Sequence, residues 1–361
     1  MRRKTWVAAG VLASAFTIFD GGSAFAAAGW TTVSIPATGN NTDLHGVFAR
    51  TNTDAWAVGQ QFVAAGQAPA PPAIYHWNGT AWSLVSSPAL PQASALVAVS
   101  ASSATDAWAV GGEKAGRGHQ TLLEHWNGTA WSVDTADSVP GGLGAVLDLS
   151  TANAYAVGNA SGSRLEHWNG ASWSPVTLPD SSFVPGSLQT ISATSASDIW
   201  LVGTSAGQSE ALHFNGTAWT VVPMAQPPAS PFGSSVEIGA VTAISPADAW
   251  AVGEATGNTL IEHWDGTSWS IVPSPTPGAD PALTGVAARS ATDVYAVGQE
   301  PGVNGGPFRA VILRWNGTAW TDDTGGATFG VTEAAATFPG AAREWAVGIT
   351  SGNQGQILSH G

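Results

Sequence analysis

Histidine and carboxylate side chains are the groups of this chain that could bind an ion or transfer a proton. Six of the eight histidines recur at one position of a repeated segment: His76, His125, His167, His213, His263 and His360. Repeats arranged around an axis would hold these side chains too far apart to share one ion. We therefore expect each of them to form a structural hydrogen bond near a turn, and the sequence predicts no metal site and no cofactor.

The other two histidines, His45 and His119, lie outside that position, and neither has a partner at a spacing typical of metal ligands. An Asp recurs at positions 54, 106, 198, 248 and 293, where capping the backbone of a turn is a sufficient role. Calcium loops of the D-x-D-x-D-G type do not occur in the sequence. The chain also has no Cys, which excludes thiolate metal sites, cysteine nucleophiles and disulfide bonds.

Candidate binding residues lie in segments whose length and sequence differ between repeats. Variable loops on a rigid scaffold are where binding usually resides. The candidates on this variable loop face are Gln60, Gln61, Glu113, Lys114, Arg117, His119, Glu254, Glu300 and Arg309. The carboxylates among them could serve as a general acid and a general base, although the sequence does not bring any two of them together.

A repeated segment must position these residues. Its core reads Asp-Ala-Trp-Ala-Val-Gly in the clearest copies, and its aromatic residue recurs at Trp56, Trp108, Tyr155, Trp200, Trp250, Tyr295 and Trp345, at intervals of 45 to 52 residues. This period is typical of propeller blades with four strands each. The sequence therefore predicts an all-β, seven-bladed β-propeller with four antiparallel strands per blade.

Turn and aromatic residues support the same architecture. Asn-Gly or Asp-Gly joins the third strand to the fourth at six places, and Gly tolerates the positive φ that tight turns require. Of the 18 Trp residues, 17 occupy three repeat positions, and only Trp6 lies outside them. We expect these Trp side chains to form the core, so none is left over as an obvious platform for stacking a sugar.

The two ends of the chain should meet in one blade. The last repeat stops near His360 without a fourth strand, whereas residues 29–36 resemble residues 81–88, which form a fourth strand in the first repeat. We expect the N-terminal strand to complete the last blade, so that the propeller covers residues 29–361 and its final blade combines 329–361 with 29–36. Such closure would remove exposed sheet edges.

Residues 1–26 have the features of a secretory signal peptide. Arg2, Arg3 and Lys4 precede an apolar stretch at residues 6–19, and Ala24-Phe25-Ala26 is typical of a cleavage site. The sequence thus predicts a secreted protein that does not insert into a membrane after signal removal. The net charge is −14, and no basic cluster follows the N-terminus, so a nucleic acid is not an expected partner.

The paired aromatic residues around the turn between strands three and four, after a Gly-terminated second strand, resemble kelch-type propellers such as the central domain of galactose oxidase. The spacing from Gly79 to Trp82 also resembles the Asp-box of sialidase-like propellers. Both resemblances imply a propeller, and neither implies an activity here. Copper-radical oxidation in the first family needs a Cys, which this chain lacks, and sialidases need an arginine cluster that its arginines do not match.

These observations favour a non-catalytic binding module for an extracellular glycan or protein, most simply as a monomer. Two alternatives stay open. The first is an extracellular carbohydrate-active enzyme, a polysaccharide hydrolase or lyase that uses carboxylates on the variable loop face. The second is a structural cell-surface protein.

Overall fold

The computed structural model describes residues 29–361 except 65, 117, 135–140, 159–163, 180–187, 206, 229–235, 303–305, 325–329, 339, 351 and 353. The predicted signal peptide, residues 1–26, and candidate Arg117 lie outside the described residues. The described part is all-β and forms a propeller of antiparallel sheets. No helix in these residues has the length and apolarity needed to cross a membrane.

Each repeat folds into four strands. The inner strands, which come first in each repeat, are β2 (Asn41–Thr51), β6 (Ser94–Ser103), β10 (Leu143–Ser150), β14 (Leu188–Ser195), β18 (Val236–Ser245), β22 (Ala282–Ser290) and β26 (Val331–Ala336). The second strands are β3 (Asp54–Phe62), β7 (Asp106–Ala115), β11 (Asn153–Gly158), β15 (Asp198–Ser205), β19 (Asp248–Ala255), β23 (Asp293–Glu300) and β27 (Glu344–Ile349).

The third strands are β4 (Ala73–Trp77), β8 (Gly118–Trp126), β12 (Arg164–Trp168), β16 (Gln208–Phe214), β20 (Asn258–Trp264), β24 (Arg309–Trp315) and β28 (Gly355–His360). The outer strands are short and begin with Trp: β1 (Trp30–Val33), β5 (Trp82–Val85), β9 (Trp131–Val133), β13 (Trp173–Pro175), β17 (Trp219–Pro223), β21 (Trp269–Ile271) and β25 (Trp320–Asp322).

The prediction of seven separate four-stranded blades is wrong. Five sheets are separate four-stranded blades: β10–β13, β14–β17, β18–β21, β22–β25, and β26–β28 with β1. The other eight strands, β2–β9, form one continuous sheet because Gln60 at the end of β3 pairs with Ala95 at the start of β6. The end of β3 and the start of β6 therefore join two repeats into one sheet.

The N-terminal strand pairs with the last strand, as the sequence predicts. β1 runs antiparallel to β28 with Trp30 opposite His360. The predicted alignment of the last repeat is wrong by one residue, since His360 lies at the position of Trp126 rather than His125. The ring of His360 instead packs beside Trp30, with ring centroids 5.4 Å apart, and beside Tyr295 at 5.3 Å.

Aromatic packing joins each repeat to the next one. Trp56 contacts Trp126 and Trp131 of the following repeat, with ring centroids 5.2 and 5.1 Å apart. The same contact closes the chain, because Trp345 packs against Trp77 and Trp82 at 4.9 and 5.1 Å. Edge-to-face pairs of this kind stabilise beyond the area that they bury. The Trp side chains are thus core residues, as expected.

The turns between third and fourth strands confirm the prediction for their Gly residues. Gly79 has a φ of +96°, and the Gly at the same position of the other five turns also has a positive φ. The Asn residues do not share this conformation. Instead, Asn78 Oδ1 accepts hydrogen bonds of 3.0 Å from the backbone nitrogens of Thr80 and Ala81 and holds the turn.

Candidate functional site

The inner strands surround a cavity of about 820 Å³. Residues of β2, β6, β10, β14, β18, β22 and β26 all line it. Many of the lining residues are small and apolar, and the inner strands lie close together. A Cβ added to Gly46, for example, would lie 2.6 Å from the carbonyl oxygen of Val97 on the next inner strand.

Several polar side chains of the cavity come from one structural feature, a β-bulge near the start of every inner strand. A bulge places two residues opposite one on the partner strand and re-aims a side chain. The bulged residues all line the cavity, and we call them the bulge ring: His45, Val97, Gly144, Gln189, Gly239, Thr284 and Glu333.

The Gly that ends the Asp-Ala-Trp-Ala-Val-Gly element makes room for this bulge. A Cβ on Gly59 would lie only 1.9 Å from the carbonyl oxygen of Asp43, and one on Gly348 would lie 1.9 Å from that of Val331. No side chain fits at either place. The repeated Gly therefore accommodates the bulge, and the bulged residue of each repeat lines the cavity.

Two members of the bulge ring meet where the first and last repeats adjoin. His45 Nδ1 lies 2.5 Å from Glu333 Oε2. The Asp43 carboxylate lies close by, and one ligand atom from each of the three residues falls within 4.8 Å of the others. The side chains of His45 and Glu333 are 14% and 30% exposed, so the group is sheltered but open to the cavity.

The charges of this group perturb each other. Burial raises the pKa of Asp43, and the neighbouring His45 opposes the shift. Burial alone would lower the pKa of His45, but the hydrogen bond and charge of Glu333, helped by the charge of Asp43, outweigh it and raise that pKa. The carboxylates thus favour the protonated form of His45, whereas burial favours the neutral form of Asp43.

A second pair of acidic residues lies on β18 and β19. Glu237 and Glu254 face each other across the two strands, and both line the cavity. Gln299, at the end of β23, lines it as well. The cavity therefore combines an apolar wall with several polar groups at the end where the variable loops lie, which is typical of small-ligand sites.

Of the predicted binding residues, Glu254 lines the cavity, whereas several others stabilise loops. Gln61 donates a hydrogen bond of 2.8 Å to the carbonyl oxygen of Pro71 and accepts one from Asn40. Gln60 lies opposite Asp43 in the strand pairing. Glu113 is buried and accepts hydrogen bonds from the backbone nitrogen of Gln92 and from the side chain of Gln120.

The remaining predicted residues fall into two groups. Lys114 and His119 are exposed and lie opposite each other on β7 and β8. Glu300 is buried and forms an ion pair with Arg309 across β23 and β24. The structure therefore distributes the predicted residues that it describes over four repeats and does not bring them into one constellation.

Five of the six repeated histidines, all except His360, have the structural role that we expect. His76, His125, His213 and His263 hydrogen-bond the recurrent Asp of their own repeat through Nε2, at 2.7 to 2.9 Å, and His167 does the same with Asn153. The recurrent Asp thus joins the third strand to the start of the second, and the expected capping of turn backbone by this Asp is wrong. A hydroxyl caps the turn instead, as when Thr51 Oγ1 accepts from the backbone nitrogen of Thr53.

Sequence reasoning misses Asp43, Glu237 and Glu333 and leaves His45 without a partner. His45 and Glu333 occupy the same position of their repeats although 288 residues separate them. The signal that could reveal His45 and Glu333 is their place directly after the residue that pairs with the repeated Gly. Aligning that position across the repeats yields the bulge ring.

No protein-family model matches this sequence, and no curated protein matches it. Solved structures do match the fold. The structure of YCF48 bound to D1 peptide has a TM-score of 0.62 at 13% identity, over 93% of this chain and 98% of that chain. YCF48 from Cyanidioschyzon merolae has a TM-score of 0.60 at 15% identity, over 92% of this chain and 98% of that chain.

A glycoside hydrolase is also similar. The GH74 xyloglucanase from Xanthomonas campestris has a TM-score of 0.59 at 15% identity, over 89% of this chain and 52% of the enzyme. The chain therefore spans about half the length of that enzyme. These similarities show a β-propeller fold, and they do not show a kelch or galactose oxidase family.

Proposed function

We propose that this chain is a secreted, non-catalytic β-propeller that binds an extracellular glycan or protein at the cavity end formed by the variable loops. The observation that carries the proposal is the bulge ring. Repeat positions that build the scaffold hold similar residues, whereas the ring positions differ from repeat to repeat and face a cavity of about 820 Å³. Side chains that vary on a fixed scaffold are typical of a binding site.

The cavity size agrees with a small group rather than a large one. Ligand sites commonly measure roughly 300–1,000 Å³. One or two sugar rings, or one side chain of a protein partner, would fill such a volume. Gln189, Thr284 and Glu254 line it and could donate or accept hydrogen bonds. Secretion through residues 1–26 and the kelch-type relationship are parts of this proposal that rest on the sequence.

The enzyme alternative has one observation in its favour. Oxygens of Asp43 and Glu333 lie within 4.8 Å of each other, and the two carboxyl groups of retaining glycosidases are about 5–5.5 Å apart. However, Asp43 Oδ1 is fully buried, and Glu333 is held by His45 at 2.5 Å. Glu333 is thus engaged in an ion pair and Asp43 does not line the cavity, so we favour binding without turnover. A purely structural surface protein would need no polar cavity.

The proposal can be tested with the purified mature protein on a glycan array, with soluble polysaccharides and with extracellular proteins immobilised from the same source. We expect saturable binding without release of shorter sugars. Gln189→Ala and Glu254→Ala should weaken binding by about tenfold or more, since each removes a hydrogen bond that can involve a charged or polar ligand.

Thr129→Ala provides a matched control on the opposite face. Thr129 is exposed in a turn of that face, and its hydrogen bond to Asn127 uses the backbone nitrogen. This variant should bind as tightly as the wild type. Release of sugar products would favour the hydrolase, and equal binding by all three variants would rule out the cavity as the site.

A further inference from the structure

The cluster of Asp43, His45 and Glu333 has the composition of a metal site. An imidazole nitrogen and two carboxylate oxygens come from two inner strands, β2 and β26, that adjoin at the cavity. The three atoms lie within 4.8 Å of one another. Ligands at about 2.0–2.2 Å from one Zn²⁺ ion lie roughly 3.3–3.6 Å apart, so small side-chain rotations would centre them on an ion.

A second observation is independent of this spacing. Asp43 Oδ1 is buried and has no hydrogen-bond partner. A charged oxygen without a partner is costly when water is excluded, and such an atom in a native structure calls for an unseen water or ion. The Gln60 side chain lies opposite Asp43 and hydrogen-bonds its carboxyl group, so Oδ1 is the oxygen that is left without a partner. An ion between Asp43 and Glu333 would supply the missing partner.

The donor set selects the kind of ion. Imidazole suits Zn²⁺ and similar transition metals, whereas Ca²⁺ and Mg²⁺ prefer oxygen ligands alone. We propose that Asp43, His45 and Glu333 bind one divalent transition-metal ion, Zn²⁺ being the best fit, at the wall of the central cavity. Two carboxylates and a neutral imidazole balance the charge of that ion.

The position of the site would allow the ion to contact a ligand in the cavity. Three protein ligands leave a fourth position of a tetrahedral ion open. His45 and Glu333 line the cavity, so that position would face any ligand inside it. A sugar hydroxyl or a carboxylate could then complete the coordination. The ion would also tie the first repeat to the last, next to the closure made by β1 and β28.

Calorimetric titration of ZnCl₂ into the chelator-treated mature protein tests the site directly. We expect one saturable site per chain and a rise in Tm when Zn²⁺ is present, because an ion that binds only the folded state stabilises it. His45→Ala, Asp43→Asn and Glu333→Gln should each weaken Zn²⁺ binding by about 100-fold, and the two near-isosteric variants should keep the fold.

The visible absorption of bound Co²⁺ is a second readout, and it would not change if the three residues had only a structural role. Co²⁺ bound by an imidazole and two carboxylates should show visible absorption bands that disappear in Asp43→Asn. His263→Gln is the matched control, because His263 also pairs with one carboxylate, Asp248, at 2.9 Å. That variant should bind Zn²⁺ like the wild type.

Two results would overturn the proposal: no saturable binding in the wild type, or unchanged affinity in His45→Ala. The cluster would then be a plain ion pair between His45 and two carboxylates. These measurements use the metal alone and need no glycan or protein, so their outcome is separate from that of the proposed function.

Discussion

Two buried glutamates should make the folded protein less stable as the pH rises. Glu124 and Glu262 occupy the same repeat position, and both side chains are fully buried. Ser87 donates one hydrogen bond of 2.8 Å to Glu124 Oε1, and the backbone nitrogen of Ala225 donates one of 2.9 Å to Glu262 Oε2. The other oxygen of each carboxyl group is buried without a partner. Burial raises the pKa of each glutamate to about 7.

The sign of the effect follows from proton binding. Between about pH 4.5 and 7 the folded chain keeps protons that the unfolded chain has already released. The free energy of unfolding therefore falls as the pH rises through this window, and the loss is complete above about pH 7. A pKa difference of about 2.5 corresponds to about 3 kcal/mol for each glutamate.

Replacing either residue by Gln should remove this loss. Glu124→Gln and Glu262→Gln keep the shape of the protonated acid, so each should match the wild type near pH 4.5 and exceed it by up to about 3 kcal/mol at pH 8. Urea unfolding at half-unit pH steps from 4.5 to 8.5 measures the difference. Because other groups titrate equally in both proteins, the difference isolates one residue.

Glu166 supplies the control at the same repeat position. It forms an ion pair with Arg164 at 2.5 Å, so Glu166→Gln leaves a sheltered guanidinium without its counter-ion. That variant should be less stable than the wild type at both ends of the pH range. If Glu124→Gln were no more stable than the wild type at pH 8, the buried carboxyl group would have to be neutralised by a group that the structure does not show.

Two further predictions concern the scaffold. Gly59→Ala should lower the free energy of unfolding by about 3 kcal/mol, because its Cβ would lie 1.9 Å from the carbonyl oxygen of Asp43. Gly66→Ala is the control, since a Cβ there meets nothing within 4 Å and should cost only the strain of a φ of +88°. Equal losses of the two variants in urea unfolding would contradict the steric role of Gly59. Trp30→Ala should lower the free energy of unfolding by about 3–5 kcal/mol, because Trp30 is fully buried and its ring centroid lies 5.7 Å from that of Tyr295. Trp30→Phe should recover part of the loss in Tm. An unchanged Tm for Trp30→Ala would mean that β1 does not hold the two ends of the chain together.

Local sequence determines the strands and much of their packing. Alternation of large and small residues from Asp54 to Gly59 predicts one face that packs on the next repeat, and Trp56 does contact Trp126 and Trp131 there. The positive φ of Gly79 and the pairing of β1 with β28 also follow from short-range patterns. Each of these features needs only a segment and its copy in another repeat.

Features that depend on contacts between distant segments escape this kind of reasoning. The pairing of Gln60 with Ala95, which merges β2–β9 into one sheet, depends on how far two strands extend at the face of the molecule. The position of His360 depends on the pairing of β28 with β27, in which Ser359 rather than His360 lies opposite Trp345. Neither has a local signal in the residues concerned.

The residues of the candidate site are only partly predictable from the sequence, and the reason is steric. The repeated Gly of the second strand carries no side chain because the carbonyl oxygen of the bulged strand occupies that space, as at Gly59 and Gly348. The Gly therefore marks the bulge, and the bulge places its extra residue at the cavity in every repeat. The steric constraint applies to the Gly and leaves the bulged residue free to vary, so the scaffold can keep its packing while His45, Gln189 and Glu333 differ.

Because the inner strands converge on the cavity, two such residues from opposite ends of the chain can lie in direct contact without any proximity in sequence. In this fold, the bulged residues that face the cavity can thus be located from the repeated Gly of the neighbouring strand.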